Sequence, residues 1–130
     1  MKCQKIIMTA SLLLALAVII GAFGAHVLGP RLGAHYLNVY ETGVHYQFYG
    51  SLGVLLIGIL AVSHPSRLLH YAAGLLVLGV VLFSGSLYVL AVTKIKMLGI
   101  ITPFGGMSMI AGWLCLFFAV RRERFSGIKN

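Results

Sequence analysis

Four long apolar runs alternate with short polar segments along this chain of 130 residues. The runs cover residues 6–26, 44–62, 68–92 and 97–120. Each is close to the ~20 residues that a helix needs to cross the hydrocarbon core of a bilayer. Backbone polar groups in lipid must pair within their own segment, and the runs lack the alternation of barrel strands. We therefore predict an all-α integral membrane protein whose single domain, residues 1–130, is an up-down four-helix bundle.

The longest connection, residues 31–43, lies between the first two runs. Gly29-Pro30 is a typical helix-breaking pair, so we expect the first span to end there. Tyr36 and Tyr40 fall on one helical face, and tyrosine prefers the membrane interface. The pattern therefore predicts a short interfacial helix between spans 1 and 2.

Composition supports the membrane class, because only 9% of the residues are charged and 60% are hydrophobic. Soluble domains carry about 25% charged residues. The net charge of +8 comes from residues at the ends of the runs, so we do not expect nucleic acid as a partner. One side of the membrane would hold Lys2, Lys5, Arg67, Arg121, Arg122, Arg124 and Lys129, and the other only Arg31, Lys94 and Lys96. This bias predicts that both termini lie in the cytoplasm.

The first run is longer than the 7–15 apolar residues of a secretory leader, and three more runs follow it. We therefore expect it to be a span. Cys3 and Cys115 have no ligand spacing, so neither a disulfide nor a metal site is predicted. No cofactor is expected. Membrane lipids are the expected partners, and assembly as a homo-oligomer or within a larger membrane complex stays open.

The polar residues inside the runs concentrate at four run ends that an up-down bundle brings to the outer leaflet. The candidates are His26, Glu41, His45, Gln47, Ser84, Ser86, Tyr88, Thr102 and Ser108. Glu41 stands four residues before His45, so the two share a helical face and could share a proton or a hydrogen bond. Ionisable groups at membrane depth are candidates for function.

Small residues accompany the polar ones and predict close helix packing. They are Gly21, Gly24, Ala25, Gly85, Gly105 and Gly106. Pro103 removes one helical hydrogen bond and predicts a kink or a broken turn early in the fourth span. The polar cluster is therefore either a binding site or a packing interface, and the sequence leaves both interpretations open.

Enzyme signatures such as HExxH, GxSxG, a P-loop or a carboxylate pair do not occur in the sequence, so no catalytic residue is predicted. Our leading hypothesis is a non-enzymatic binding or accessory protein. Its polar outer-leaflet pocket would take a lipid, a quinone-like ligand or a partner helix. The Glu41–His45 pair and Pro103 favour an alternative, a proton-linked transporter or channel component. An enzyme acting on a lipid is a third hypothesis with only loosely placed candidate groups.

Four ordered motifs carry a family resemblance that covers nearly the whole chain. They are GAFGAHVL (21–28), TGVHYQFY (42–49), LFSGSLY (82–88) and TPFGG (102–106). They resemble the YgdD-like family, small four-span bacterial inner-membrane proteins with a eukaryotic transmembrane relative and no established activity. The resemblance implies the topology but no reaction. The family often has a histidine where this chain has Gly50, so a site that needs that histidine is in doubt here.

Overall fold

The computed structural model describes residues 2–122, and this part of the chain is entirely helical. Its elements are α1 (Cys3–Phe23), a π-helical segment (Gly24–Leu28), α2 (Gly29–Ser63), α3 (Arg67–Thr93), a 3-10 helix (Lys96–Ile100) and α4 (Thr102–Arg122). Three stretches of the described residues are long and apolar enough to cross a membrane: Cys3–Ser63, Arg67–Thr93 and Lys96–Arg122. The all-α prediction is confirmed.

The first of these stretches folds back on itself. Its 61 residues would extend for about 90 Å as a straight helix. Gly33 interrupts α2 with φ 79° and ψ 166°, a backbone conformation that is essentially restricted to glycine. Residues 34–63 then run antiparallel to α1, so that Gly58 lies against Ile7 and Gln47 lies against Leu13.

This reversal corrects two expectations. The chain stays helical through Gly29 and Pro30, because Pro30 occupies the first turn of α2, where its missing N–H has no partner to lose. The predicted helix end at this pair is wrong, and the break lies at Gly33. Residues 34–43 continue without a break into the rest of α2, so the interfacial helix predicted for residues 31–43 is not a separate element.

The kink or broken turn expected at Pro103 lies just before this residue and not at it. Pro103 is the second residue of α4, again a position in the first turn that tolerates proline. The chain is instead broken just before it, where the 3-10 helix Lys96–Ile100 gives way to α4 at Thr102. The predicted fourth run, residues 97–120, is therefore a short 3-10 helix followed by α4.

The helices pack in the order α1, α2, α3, α4. Contacts join each helix to the next in the chain, and α4 also meets α2 over a narrow area at Gly50 and Gly53. Within the described residues α1 and α4 do not pack side by side. This arrangement is more open than the predicted four-helix bundle. We call the end that holds Cys3 and Arg122 the terminal end, and the end that holds Gly33 and Lys94 the far end.

Small residues on α2 allow its neighbours to approach closely. A Cβ added at Gly53 would lie 2.7 Å from Cη2 of Trp113, and one at Gly58 would lie 2.8 Å from Cγ1 of Ile7. A Cβ at Gly50 would overlap the Val80 side chain. Helices in lipid associate largely through van der Waals contact, so this glycine face is the centre of the packing.

Candidate functional site

Three buried or partly buried polar side chains link α1, α2 and α3. Nε2 of the buried Gln47 donates to the Leu13 carbonyl at 2.8 Å, and the Tyr88 hydroxyl donates to Oε1 of Gln47 at 2.6 Å. The Tyr40 hydroxyl donates to the Ile20 carbonyl at 2.6 Å, and its ring packs on that of Tyr88 with centroids 5.3 Å apart. Gln47 and Tyr88 are therefore held within the protein.

The predicted serines and threonine are paired in the same way. Oγ of Ser84 donates to the Gly43 carbonyl at 2.6 Å, which ties α3 to α2. Oγ of Ser86 lies 2.9 Å from the Phe83 carbonyl and 2.6 Å from Oγ1 of Thr102. Because Ser86 has one proton and a carbonyl can only accept, Thr102 is the donor to Ser86. These contacts form a polar packing interface, and they leave few groups free for a ligand.

The remaining polar candidates, His26, Glu41 and His45, are exposed. His26 lies in the π-helical segment at the far end. Glu41 and His45 share the outer face of α2, but within residues 2–122 the structure shows no hydrogen bond or ion pair between them. His45 instead stacks on Tyr49, with ring centroids 6.5 Å apart. The described residues contain no group of three or more histidine, cysteine or acidic side chains that could hold a metal ion.

The charged ends of α3 provide a scale for depth in a bilayer. Arg67 and Lys94 bracket the apolar part of this helix, and Val80 lies midway between them. Gly50 of α2 packs directly against Val80. With α3 across a membrane, the midplane of the bilayer therefore passes close to Val80 and Gly50.

On this scale, His45, Tyr46 and Tyr49 would lie well inside the hydrocarbon core. The exposed Glu41, about 13.5 Å from Gly50 at 1.5 Å per residue, would lie at the edge of the core. Tyr49 is next to Gly50, whereas Tyr46 and His45 lie about 6 Å and 7.5 Å from it along the helix at 1.5 Å per residue. The core extends about 15 Å to either side of the midplane. Tyr46 is 41% exposed and Tyr49 is 55% exposed. We call His45, Tyr46 and Tyr49 the exposed polar strip.

An apolar groove of about 330 Å³ runs beside this strip between α2 and α4. It is lined by Tyr46, Tyr49, Phe83, Gly106, Met109, Ile110 and Trp113. The Tyr46 ring lies 4.5 Å from that of Phe83 and 5.5 Å from that of Tyr49. The groove thus combines aromatic walls with two tyrosine hydroxyls at the depth of the lipid chains.

Two of the predicted small residues are tightly packed. A Cβ at Gly24 would overlap the Tyr40 ring, and one at Gly105 would overlap the backbone of Phe83. Gly21 is nearly as close, since its Cβ would lie 3.3 Å from Cγ1 of Val44. These glycines lie where α1 meets α2 and where α3 meets α4.

The other three small residues are placed differently. A Cβ at Gly106 would make ordinary contact with Phe83 at 3.6 Å, on the side of the groove. Ala25 is exposed, and a Cβ at Gly85 would meet no atom within 4 Å. The packing role expected of Ala25 and Gly85 is therefore wrong for the described part of the chain.

The sequence reasoning missed the glycines of α2, the groove and the buried Ser51, and it misplaced Ser108. Gly43, Gly50 and Gly53 recur at spacings of seven and three residues, a pattern that could have identified the packed face of α2. Ser108 was proposed as an outer polar residue, but it donates to the Leu75 carbonyl at 2.7 Å and lies near the midplane. Ser51 is fully buried, and its hydroxyl has no hydrogen-bond partner within the described residues.

A family of proteins of unknown function, DUF423, matches residues 20–106 of the chain. The chain belongs to this family. Among its relatives, the UPF0382 membrane protein SH2409 of Staphylococcus haemolyticus is 50% identical over 76% of this chain and 80% of its own length. YwdK of Bacillus subtilis is 46% identical, over 80% and 85%. The inner membrane protein YgdD of Escherichia coli K12 is 38% identical, over 87% and 86%. No solved structure matches.

These similarities confirm the resemblance to the YgdD-like family and the membrane class. They assign no activity, since the family is described only as one of unknown function. Of the groove lining, Tyr46, Tyr49, Phe83 and Gly106 lie within the matched residues, and the remaining three residues follow them.

Proposed function

We propose that the chain crosses the membrane four times, with both termini in the cytoplasm. The fold-back at Gly33 supports two crossings by the stretch Cys3–Ser63, and α3 and α4 supply the other two. The excess of basic residues at the terminal end supports the orientation. A reporter enzyme that is active only in the periplasm should be inactive when fused to the C-terminus. Activity of that fusion would contradict the orientation.

Within this topology, the protein is a non-enzymatic binding protein for a lipid-soluble molecule with a flat, hydrogen-bonding ring, such as a quinone. The observation that carries this proposal is the exposed polar strip at hydrocarbon depth. A hydroxyl or imidazole group that faces the lipid chains without a hydrogen-bond partner raises the free energy of the folded protein by several kcal/mol, on the order of the cost of any unpaired polar group in hydrocarbon. A ligand with oxygen acceptors in the adjacent groove would supply the missing hydrogen bonds.

The groove itself favours a ring over a partner helix. Its volume of about 330 Å³ lies within the range of small-molecule sites. Tyr46, Phe83 and Trp113 provide faces and edges on which a flat ring can stack. Tyr49 and Ile110 of the groove lining are more than half exposed, so an apolar tail could extend from the groove into the bilayer.

The transporter hypothesis receives less support. Gln47, Ser84 and Tyr88 are hydrogen-bonded inside the protein, and Glu41 is exposed at the far end, apart from them. An enzyme is likewise less supported, because around the groove and the buried network the described residues show no hydroxyl bonded to a histidine or a carboxylate. A bound ligand therefore accounts for the exposed polar strip better than a polar path or a reaction centre.

The single tryptophan of the sequence, Trp113, provides a direct assay because it lines the groove. A decyl-tailed benzoquinone should quench its fluorescence saturably in detergent-solubilised protein. Gly106→Leu fills the groove and should weaken that binding at least ten-fold. Gly85→Leu is the matched control, since Gly85 faces open space outside the groove. Non-saturable quenching, or equal quenching in both variants, would refute the proposal.

A further inference from the structure

Two neighbouring cavities flank the turn between α2 and α3 at the terminal end. Their volumes are about 410 Å³ and 500 Å³, and both are lined by Pro65, Ser66 and Arg67. The first continues to Arg122 of α4, and the second continues to Tyr71 of α3. They lie at the terminal end, whereas the exposed polar strip lies near the midplane, and they share no lining residue with the groove, so they are independent of the function proposed above.

The first cavity is lined by an arginine from each of two helices. Arg67 begins α3 and Arg122 ends α4. The described lining of both cavities contains no carboxylate. The sequence has two acidic residues, of which Glu41 lies at the far end and Glu123 lies outside the described residues. Guanidinium groups bind phosphate oxygens in a bidentate manner, so the cavity suits a phosphate rather than a cation.

The depth of the cavities matches a lipid headgroup. Arg67 lies 13 residues from Val80, or about 20 Å from the midplane at 1.5 Å per residue. A bilayer with its headgroups is about 40–45 Å thick, so Arg67 reaches the level of the phosphates. Tyr71 lies about 14 Å from the midplane, at the edge of the hydrocarbon core, where tyrosine is favoured. The cavities thus extend from the phosphates to the start of the lipid chains.

Further hydrogen-bonding groups are available at this level. The Ser66 side chain makes no capping hydrogen bond at the start of α3. Nδ1 of His70 lies 2.8 Å from the Ser66 carbonyl, which can only accept, so Nδ1 carries a proton. Because the Ser66 hydroxyl makes no capping bond, it can donate a hydrogen bond beside the two arginines, for example to an oxygen of the glycerol or the headgroup of a lipid.

We propose that these cavities bind the headgroup phosphate of an anionic phospholipid, held between Arg67 and Arg122. The lipid belongs to the leaflet at the terminal end. Phosphatidylglycerol has a net negative charge, and its phosphate oxygens can accept hydrogen bonds from both arginines. Phosphatidylcholine has the same phosphate, but its choline would bring a positive charge into a basic cavity. The site therefore selects an anionic over a zwitterionic headgroup.

The test is native mass spectrometry of the full chain in detergent, titrated with phosphatidylglycerol and with phosphatidylcholine. The wild type should bind phosphatidylglycerol in preference, with a saturable first lipid. Arg67→Gln with Arg122→Gln should weaken that binding at least ten-fold. Lys94→Gln with Lys96→Gln removes the same charge at the far end and should leave it unchanged. Equal losses in the two double variants, or equal binding of the two lipids by the wild type, would overturn the site.

One more double variant separates the effect of charge from that of bidentate geometry. Replacing both arginines by lysine keeps the charge but removes the bidentate geometry, so phosphatidylglycerol binding should fall between wild type and the double glutamine variant. If the double lysine variant bound phosphatidylglycerol as tightly as the wild type does, bidentate binding by Arg67 and Arg122 would be refuted. Inorganic phosphate at millimolar concentration should not displace the lipid, and displacement would assign the cavity to free phosphate instead.

Discussion

The hydrogen bond from Tyr88 to Gln47 allows a test of whether the buried polar residues stabilise the packing of the helices. Gln47→Leu keeps the size of the side chain but removes the bond to the Leu13 carbonyl and the bond from Tyr88. Interhelical hydrogen bonds in membrane proteins contribute about 0.6 kcal/mol each on average and up to about 1.7 kcal/mol. Two such bonds predict a loss of about 1–3 kcal/mol in the free energy of unfolding.

Tyr88→Phe removes only the shared bond and should cost about 0.6–1.7 kcal/mol. The double variant should then be less destabilised than the sum of the two, with a coupling energy of about 0.6 kcal/mol or more. Unfolding in mixed detergent micelles, followed by circular dichroism, measures all three variants. Additivity within about 0.3 kcal/mol would refute the reasoning, because residues that share no contact behave in that way.

Five further substitutions test the packing in the same assay. Ser84→Ala should cost about 1 kcal/mol because it removes a buried hydrogen bond, whereas Ser51→Ala should be neutral or stabilising because the Ser51 hydroxyl is unpaired. Gly105→Leu should prevent α4 from packing on α3, whereas Gly85→Leu should change stability by less than about 0.5 kcal/mol. Gly33→Ala should cost about 1–3 kcal/mol, because alanine disfavours the backbone angles at the reversal.

Each of these predictions has a contradicting result. A loss at Ser51→Ala as large as that at Ser84→Ala would show that the first hydroxyl is hydrogen-bonded after all. Equal losses of stability in Gly85→Leu and Gly105→Leu would contradict the finding that Gly85 faces open space while Gly105 packs on the Phe83 backbone. An unchanged stability of Gly33→Ala would place the reversal elsewhere in the chain.

Hydropathy and length were sufficient to predict the helical membrane segments, because lipid demands apolar, internally hydrogen-bonded stretches whatever their neighbours are. The reversal was misplaced because Gly29-Pro30 resembles a helix end, yet proline is equally suited to a first turn. The positive φ of Gly33 has no such local signature. It is required by the packing of α2 against α1.

The candidate site was predicted only as a region. The sequence placed Gln47 and His45 two residues apart in one polar cluster, although one faces α1 and α3 and the other faces outward. Which face of α2 is buried depends on where α1, α3 and α4 pack, and spacing within one helix cannot supply that. The groove was missed for the same reason, since Tyr49 and Trp113 meet only through the tertiary fold.

In the proposed function, the exposed polar strip and the α2–α4 groove hold a lipid-soluble ligand with a flat ring. Mass spectrometry of the molecules extracted from protein purified in mild detergent tests it most directly. We predict that one ring-containing, lipid-soluble compound is retained by the wild type and by Gly85→Leu and is lost from Gly106→Leu. Retention of only bulk phospholipid by the wild type, or of the same compound by all three proteins, would contradict the account.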